Sequence, residues 1–215
     1  TADAATAAAL DRRLAAVPGW REGRPLVAVN PNTGEMALER RWPEERMIDF
    51  LKGLCAAEDA NVVLTGSAGE REFVTSLVDA SGLGERLINL AGEIGIDELL
   101  ALFNRCDVVV TNDSGPLHIA AAAGANVVAL FGPETPSLYG PLRSRPEQQH
   151  TLHYRRMACS PCMFVHDNKV LSCWFAQAQC MTGISPADVE ASVDALLEAS
   201  QRDSGRTPEL RAIDS

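Results

Sequence analysis

The run Thr111-Asn112-Asp113-Ser114-Gly115-Pro116-Leu117-His118 has the residue types that hold an anion where a strand hands over to a helix. The apolar, β-branched stretch Val108-Val109-Val110 ends in this polar turn, and a helix of small residues begins at once. Such a junction directs free backbone N–H groups and the positive end of the helix dipole at one spot, a setting that suits a phosphate. Ser114 can cap the helix, Gly115 lets a ligand approach the backbone, and Pro116 fits the first turn, where its missing N–H costs nothing. His118, one turn on, can return to the same mouth. The plain alternatives are an ordinary strand–turn–helix connection, since Asp, Ser and Gly suit turns anyway, and a histidine that merely packs among alanines.

Three other groups could do chemistry. The loop over 31–41 carries Asn32, Thr33, Gly34, Glu39, Arg40 and Arg41, and a guanidinium there could neutralise a diphosphate; two solvated surface arginines are the alternative. Glu70, after the strand expected over 61–65, could accept hydrogen bonds from ribose hydroxyls, or simply be an acid favoured at a helix start. Cys159, Cys162, Cys173 and Cys180 place four of the six cysteines in one short segment. They could bind zinc or another thiolate-held metal, with His166 as a weaker substitute ligand. They could equally form disulfides in an oxidising compartment, or stay reduced and pack a loop. Cys55 and Cys106 fall on helical faces and read as buried hydrophobes.

The elements that must position these residues alternate along the chain. An amphipathic helix is expected over 1–17, ended by Pro18-Gly19. Strands are expected over 26–30, 61–65, 87–90, 107–111, 127–131 and, more weakly, 150–154. Helices follow from Trp42-Pro43, from Gly66 through Val78, over 96–106, over 115–123 and from Ser185 to about 199, with an irregular cysteine-bearing segment at 158–183. Continuous apolar strands alternating with helices imply an α/β fold, a parallel sheet covered on both faces. Ligands of such sheets lie beyond the carboxyl ends of the strands. The polar loops after the first, second, fifth and sixth strands are therefore expected to face one cleft.

Composition narrows the partners. The chain has 215 residues, 46% of them hydrophobic, enough for a real core. A net charge of -10 argues against nucleic acid, so an anionic ligand must be held by a local site rather than by the global field. No apolar run approaches bilayer-spanning length. The chain begins at Thr1 without a leader pattern and is expected to be a trimmed form or part of a longer polypeptide.

Taken together, Asn112-Asp113-Ser114-Gly115-Pro116-Leu117-His118-Ile119-Ala120 and Val128-Ala129-Leu130-Phe131-Gly132-Pro133-Glu134-Thr135-Pro136 closely resemble glycosyltransferase family 9, the ADP-heptose:lipopolysaccharide heptosyltransferases and their relatives. Arg40-Arg41-Trp42-Pro43 is similar to that family's basic-Trp-Pro loop, and Gly66 to Glu70 to its Gly-rich turn ending in an acid. The Cys-x-x-Cys segment is also similar to many members. The resemblance implies a Rossmann-like domain of the GT-B arrangement, its C-terminal, donor-binding half. Residues 1–25 would be an N-terminal helix, the remnant of an interdomain linker, 26–199 the nucleotide-sugar-binding domain with the Cys-rich segment 158–183, and 200–215 a disordered tail.

It further implies that Asp113 binds sugar hydroxyls or orients the donor, and that the Ser114 and Gly115 amides hold the diphosphate, with His118 and Thr135 close by. Arg40, where Lys is usual, would balance phosphate charge, Thr33 would add a hydroxyl, Glu70 would take the ribose and Ile94 would pack on the base. The implied reaction is inverting transfer of a heptose from a nucleotide diphosphate, ADP-heptose above all, to a lipopolysaccharide or other cell-surface or lipid-linked saccharide. It requires no cofactor, and the general base lies on an N-terminal acceptor domain outside this chain, so no catalytic residue is assigned here. The setting is the cytoplasm, peripheral to the inner membrane. The alternative is a non-catalytic nucleotide-sugar-binding or assembly module with a Cys-based metal site. Three positions depart from the family pattern: Asn32 where glycine is common, Arg40 for Lys, and Gly92-Glu93-Ile94-Gly95-Ile96 without the usual Thr-Ser.

Overall fold

A computed structural model describes residues 3–35, 37–57, 59–163 and 172–204. The strands are β1 (Leu26–Asn30), β2 (Asn61–Leu64), β3 (Leu87–Asn89), β4 (Val108–Asn112), β5 (Asn126–Phe131) and β6 (His150–Tyr154). The helices are α1 (Ala4–Ala15), α2 (Glu44–Ala57), α3 (Arg71–Ser81), α4 (Ile96–Arg105), α5 (Gly115–Ala123), α6 (Pro136–Tyr139), α7 (Gln179–Thr182) and α8 (Pro186–Ser204). The six strands form one parallel sheet in the order β3-β2-β1-β4-β5-β6. Chain direction across the sheet reverses between β1 and β4, which opens a crevice at their carboxyl ends.

Alternate residues of each strand feed two cores. Val27, Val29, Val62, Leu64, Val108 and Val110 point to the face covered by α2, α3, α7 and α8, where Phe50, Leu51, Leu54, Val189 and Val193 are buried. Ala28, Val63, Val109, Val127 and Ala129 point to the face covered by α1, α4 and α5. Burial on both sides explains why the strands read as unbroken apolar runs. The first helix packs on this face: Leu10 and Leu14 are buried in the second core, and Arg13 donates to the Glu93 carbonyl and carboxylate.

The structure differs from expectation in detail. α8 continues to Ser204, five residues past the expected end, and the tail expected to be disordered lies from 205 onward outside the described residues. The turn over 132–136 runs into the short helix α6, begun by Thr135, whose hydroxyl accepts from the Ser137 amide. The cysteine segment is not wholly irregular, since α7 lies within it; residues 164–171, His166 among them, are outside the described residues.

Candidate functional site

The loop from β1 to α2 is pinned by one side chain at the end of β4. Asn112 is fully buried. Its Nδ2 donates to the carbonyls of Pro31 at 2.9 Å and Asn32 at 3.3 Å, while its Oδ1 accepts from the Trp42 amide at 3.1 Å. Both ends of the loop are thus tied to the neighbouring strand across the point where strand order reverses. Trp42, buried against Phe50, anchors the start of α2. Within the loop the Thr33 hydroxyl donates to the Ala37 carbonyl at 3.2 Å, closing the turn that presents Arg40 and Arg41.

Those two arginines go separate ways. The Arg41 guanidinium stacks 4.0 Å over the Phe73 ring of α3, held by cation–π attraction. Arg40 lies with its Nη1 3.6 Å from the Asp113 Oδ2, its side chain 13% exposed. Arg40 Nε and Asp113 Oδ2 are buried without a hydrogen-bond partner among the described residues. A neighbouring charge at that separation compensates burial only in part. Burial pushes the Asp113 carboxyl above the usual carboxylate range, against the opposing pull of Arg40 and His118.

Ser114 occupies the N-cap position of α5 but does not cap it: its hydroxyl donates back to the Asn112 carbonyl at 3.3 Å. Pro116 has no N–H, and Leu117 N–H is used by the Ser114 carbonyl. No hydrogen bond of the described residues engages the amides of Ser114 and Gly115. Two outward N–H groups therefore remain at the positive end of the helix.

Glu70 does two things at once. Its Oε2 accepts from the Ser67 amide and hydroxyl, both at 2.8 Å, closing a capping box. Its Oε1 accepts from the Gly34 amide at 3.3 Å, joining the loops after β1 and β2. Gly66 between them leaves room for Asn32, because a Cβ there would come within 2.8 Å of the Asn32 side-chain Nδ2.

These loops enclose a cleft of about 470 Å³ whose lining includes Thr33, Glu70, Ile94, Ser114 and Gly115. A second hollow of about 610 Å³ shares Thr33, Gly34, Ser67 and Glu70 with it and adds Arg40 and Arg41. The two make one groove: Ile94, Ile96, Leu99 and the Ser114 and Gly115 turn line the first part, Thr33, Gly34, Ser67 and Glu70 the middle, and Arg40 and Arg41 the cationic end. Six of the nine residues expected to bind donor line it directly. Asp113 lies beside it through Arg40, and exposed His118 is near enough for its charge to act on Asp113.

Thr135 is not part of the groove lining. The walls come from the loops after β1, β2, β3 and β4, not after the fifth and sixth strands as expected. Strand order sets β5 and β6 beyond β4, and the cysteine segment packs on the loop after β5. There Pro133 carbonyl accepts from the Cys162 and Met163 amides, and Gly132 carbonyl from the Ser160 hydroxyl.

Cys159, Cys162, Cys173 and Cys180 do meet, around a cavity of only about 20 Å³. All are free thiols. Burial, then the neighbouring thiols, push Cys162 up and take Cys180 up to about 11. Among the described residues no three His, Cys, Asp or Glu side chains come together closely enough to hold a metal ion. The structure thus brings the four predicted ligands together around one small cavity.

Residue-type reasoning overlooked Asn112, because an asparagine at a strand end looks like turn material. Its one signal was position: a fully polar residue closing an otherwise apolar buried strand.

Residues 2–167 match the family model for glycosyltransferase family 9 (heptosyltransferase). The chain is 36% identical over 121 residues to lipopolysaccharide heptosyltransferase 2 of Escherichia coli (strain K12), covering 55% of this chain and 34% of that protein. It is 26% identical over 183 residues to lipooligosaccharide heptosyltransferase 2 of Campylobacter jejuni, covering 84% of this chain and 53% of that one. Its fold matches the solved structure of E. coli ADP-heptose LPS heptosyltransferase II with a TM-score of 0.72 and 25% identity, over 95% of this chain and 54% of that one. The chain spans between a third and about half of the length of these relatives. With its motifs, its parallel α/β sheet and its groove at the strand-order reversal, the chain belongs to glycosyltransferase family 9, the heptosyltransferase family.

Proposed function

We propose that this chain is the donor-binding part of an inverting glycosyltransferase that moves a heptose from ADP-heptose to a lipopolysaccharide or other cell-surface saccharide at the cytoplasmic face of the inner membrane. One observation carries it: the uncapped Ser114 and Gly115 amides and the Arg40 guanidinium border the same continuous groove. The apolar wall of Ile94 suits a base, Glu70 a ribose, and the amides a diphosphate. Thr33, in both halves of the groove, can give its hydroxyl to the phosphates by releasing the Ala37 carbonyl. Asp113 beside Arg40 orients the sugar, and His118 sits over the same corner.

In the transfer, an acceptor hydroxyl attacks the anomeric carbon as its bond to the diphosphate oxygen breaks. Negative charge grows on the departing diphosphate. Amides and a guanidinium fixed in advance meet that charge without reorganising, the largest kind of term a protein can supply to such a step. The proton of the acceptor hydroxyl goes to a base outside this chain. Transfer in this scheme uses no cofactor, and the cysteine cluster supports the loop after β5 rather than the chemistry.

Titration calorimetry with ADP and UDP compounds tests the assignment. The 215-residue chain binds ADP, and Arg40→Ala weakens it by about tenfold or more, as expected for a lost charge-assisted hydrogen bond. Asp113→Ala alters binding of ADP-heptose more than of ADP. Binding indifferent to Arg40, or no binding to either nucleotide, defeats the proposal.

A further inference from the structure

Asn32 stands in the wall of the donor groove and no role falls to it in the scheme above. It is 2% exposed, and its Oδ1 is buried with no hydrogen-bond partner among the described residues. The rest of the residue is fully committed. Its amide N–H donates to Asn30 Oδ1 at 3.3 Å, its carbonyl accepts from Asn112, and its Nδ2 donates to the Thr65 carbonyl at 3.3 Å. The Thr65 carbonyl decides which way the amide faces, because the flipped side chain would set oxygen against oxygen. An acceptor is thus left over on the limb turned away from Thr65, and a buried unmet acceptor costs about 1–3 kcal/mol unless something pairs with it.

A nucleotide sugar offers few groups able to do so. Phosphate oxygens are acceptors and repel it. The base belongs on the apolar wall after β3, which lies two strands, about 10 Å, from β1. Sugar hydroxyls remain, and the Asn32 position falls between the Glu70 loop and the Ser114 turn, where sugar and phosphate meet.

We infer that Asn32 is a specificity-determining residue whose side-chain oxygen accepts a hydrogen bond from a sugar hydroxyl of the bound nucleotide sugar. This rests on the nucleotide-sugar assignment of the groove. The hydroxyl belongs either to the ribose or to the transferred sugar, and the two sources separate in one experiment.

ADP, 2′-deoxy-ADP, 3′-deoxy-ADP and ADP-heptose are titrated into the wild-type chain, Asn32→Gly and Asn32→Ala, with circular dichroism to verify folding. If the ribose is the partner, wild type prefers ADP over one deoxy form by roughly three- to tenfold, the worth of one hydrogen bond, and the variants lose that preference. If the transferred sugar is the partner, the variants lose the same factor for ADP-heptose and keep their affinity for ADP. An equal loss for all four ligands marks Asn32 as merely structural and overturns the inference, as does no change at all. Should both variants fail to fold, wild type alone decides: no discrimination between ADP and its deoxy forms, with ADP-heptose bound no tighter than ADP, overturns it. Failure of wild type to bind any of the four instead overturns the assignment of the groove itself.

Discussion

Asp113 is a carboxylate only 3% exposed, with one guanidinium at 3.6 Å to answer its charge. Burial outweighs that partner and raises its pKa above 3.8, its ordinary value. The folded state therefore holds the proton more tightly than the unfolded chain does. Stability falls as pH rises from about 4 through the raised pKa, and at neutral pH the ionised group is a net cost to folding. Asp113→Asn keeps the shape and removes the charge. The variant is expected to melt at a higher temperature than wild type at pH 7, with the difference vanishing as pH falls below about 4. A variant that melts lower at pH 7 would show that the pairing with Arg40 stabilises more than burial costs. A destabilising carboxylate at a strand end is the pattern of a group kept for binding rather than for folding. Asn112, next to it, is the opposite case: every polar atom of its side chain is used to hold a loop, and its contribution is structural.

At the scale of elements, helix α5 matters most. Its start must stay uncapped so that two amides face outward, which removes a stabilising bond from that end. Its other end is closed firmly. Gly124 adopts φ +87, and its N–H donates to the Ala120 and Ala121 carbonyls, ending the helix in the left-handed conformation that glycine takes without strain. Gly124→Ala is expected to cost about 1–2 kcal/mol in urea unfolding, while ADP affinity stays within twofold, because the mouth lies a nine-residue helix, about 13 Å, away. A larger loss of ADP binding than of stability would mean that the helix moves as a unit. The loop after β1 shows the same division of labour. Asn112 and Trp42 clamp its ends, and only the middle, with Thr33 and Arg40, is presented to the groove.

For the whole molecule, the groove lies along one end of the sheet, and the acidic surface of a chain with net charge -10 offers a nucleotide no general attraction. In the proposed function, binding depends on a few cations and amides set in place by six strands. Since the proposed function sets the general base outside this chain, the isolated chain is expected to bind ADP-heptose yet transfer little or none of it to water or to a saccharide. Release of ADP in a coupled assay tests this; turnover at the rate of a full-length heptosyltransferase would show that the base is here after all. No helix among the described residues is long and apolar enough to cross a membrane.

The alternation of buried strands and helices, the polar turn over 112–115 and the basic-Trp-Pro loop were all legible in the residues, because hydrophobic period, turn chemistry and charge are local properties. So was most of the groove lining: Arg40, Glu70, Ser114 and Gly115 were named from type and position, and Thr33 and Ile94 from the family resemblance. What residue order could not carry was which loops share a wall. Strand order decided that, setting β1 beside β4 and leaving Thr135 outside the groove lining. It also decided that Ser114 turns its hydroxyl inward, that Asn112 ties the loop after β1 to β4, and that four cysteines converge around one small cavity. Each of these depends on distances between segments remote in the chain, and such distances exist only once the sheet has formed.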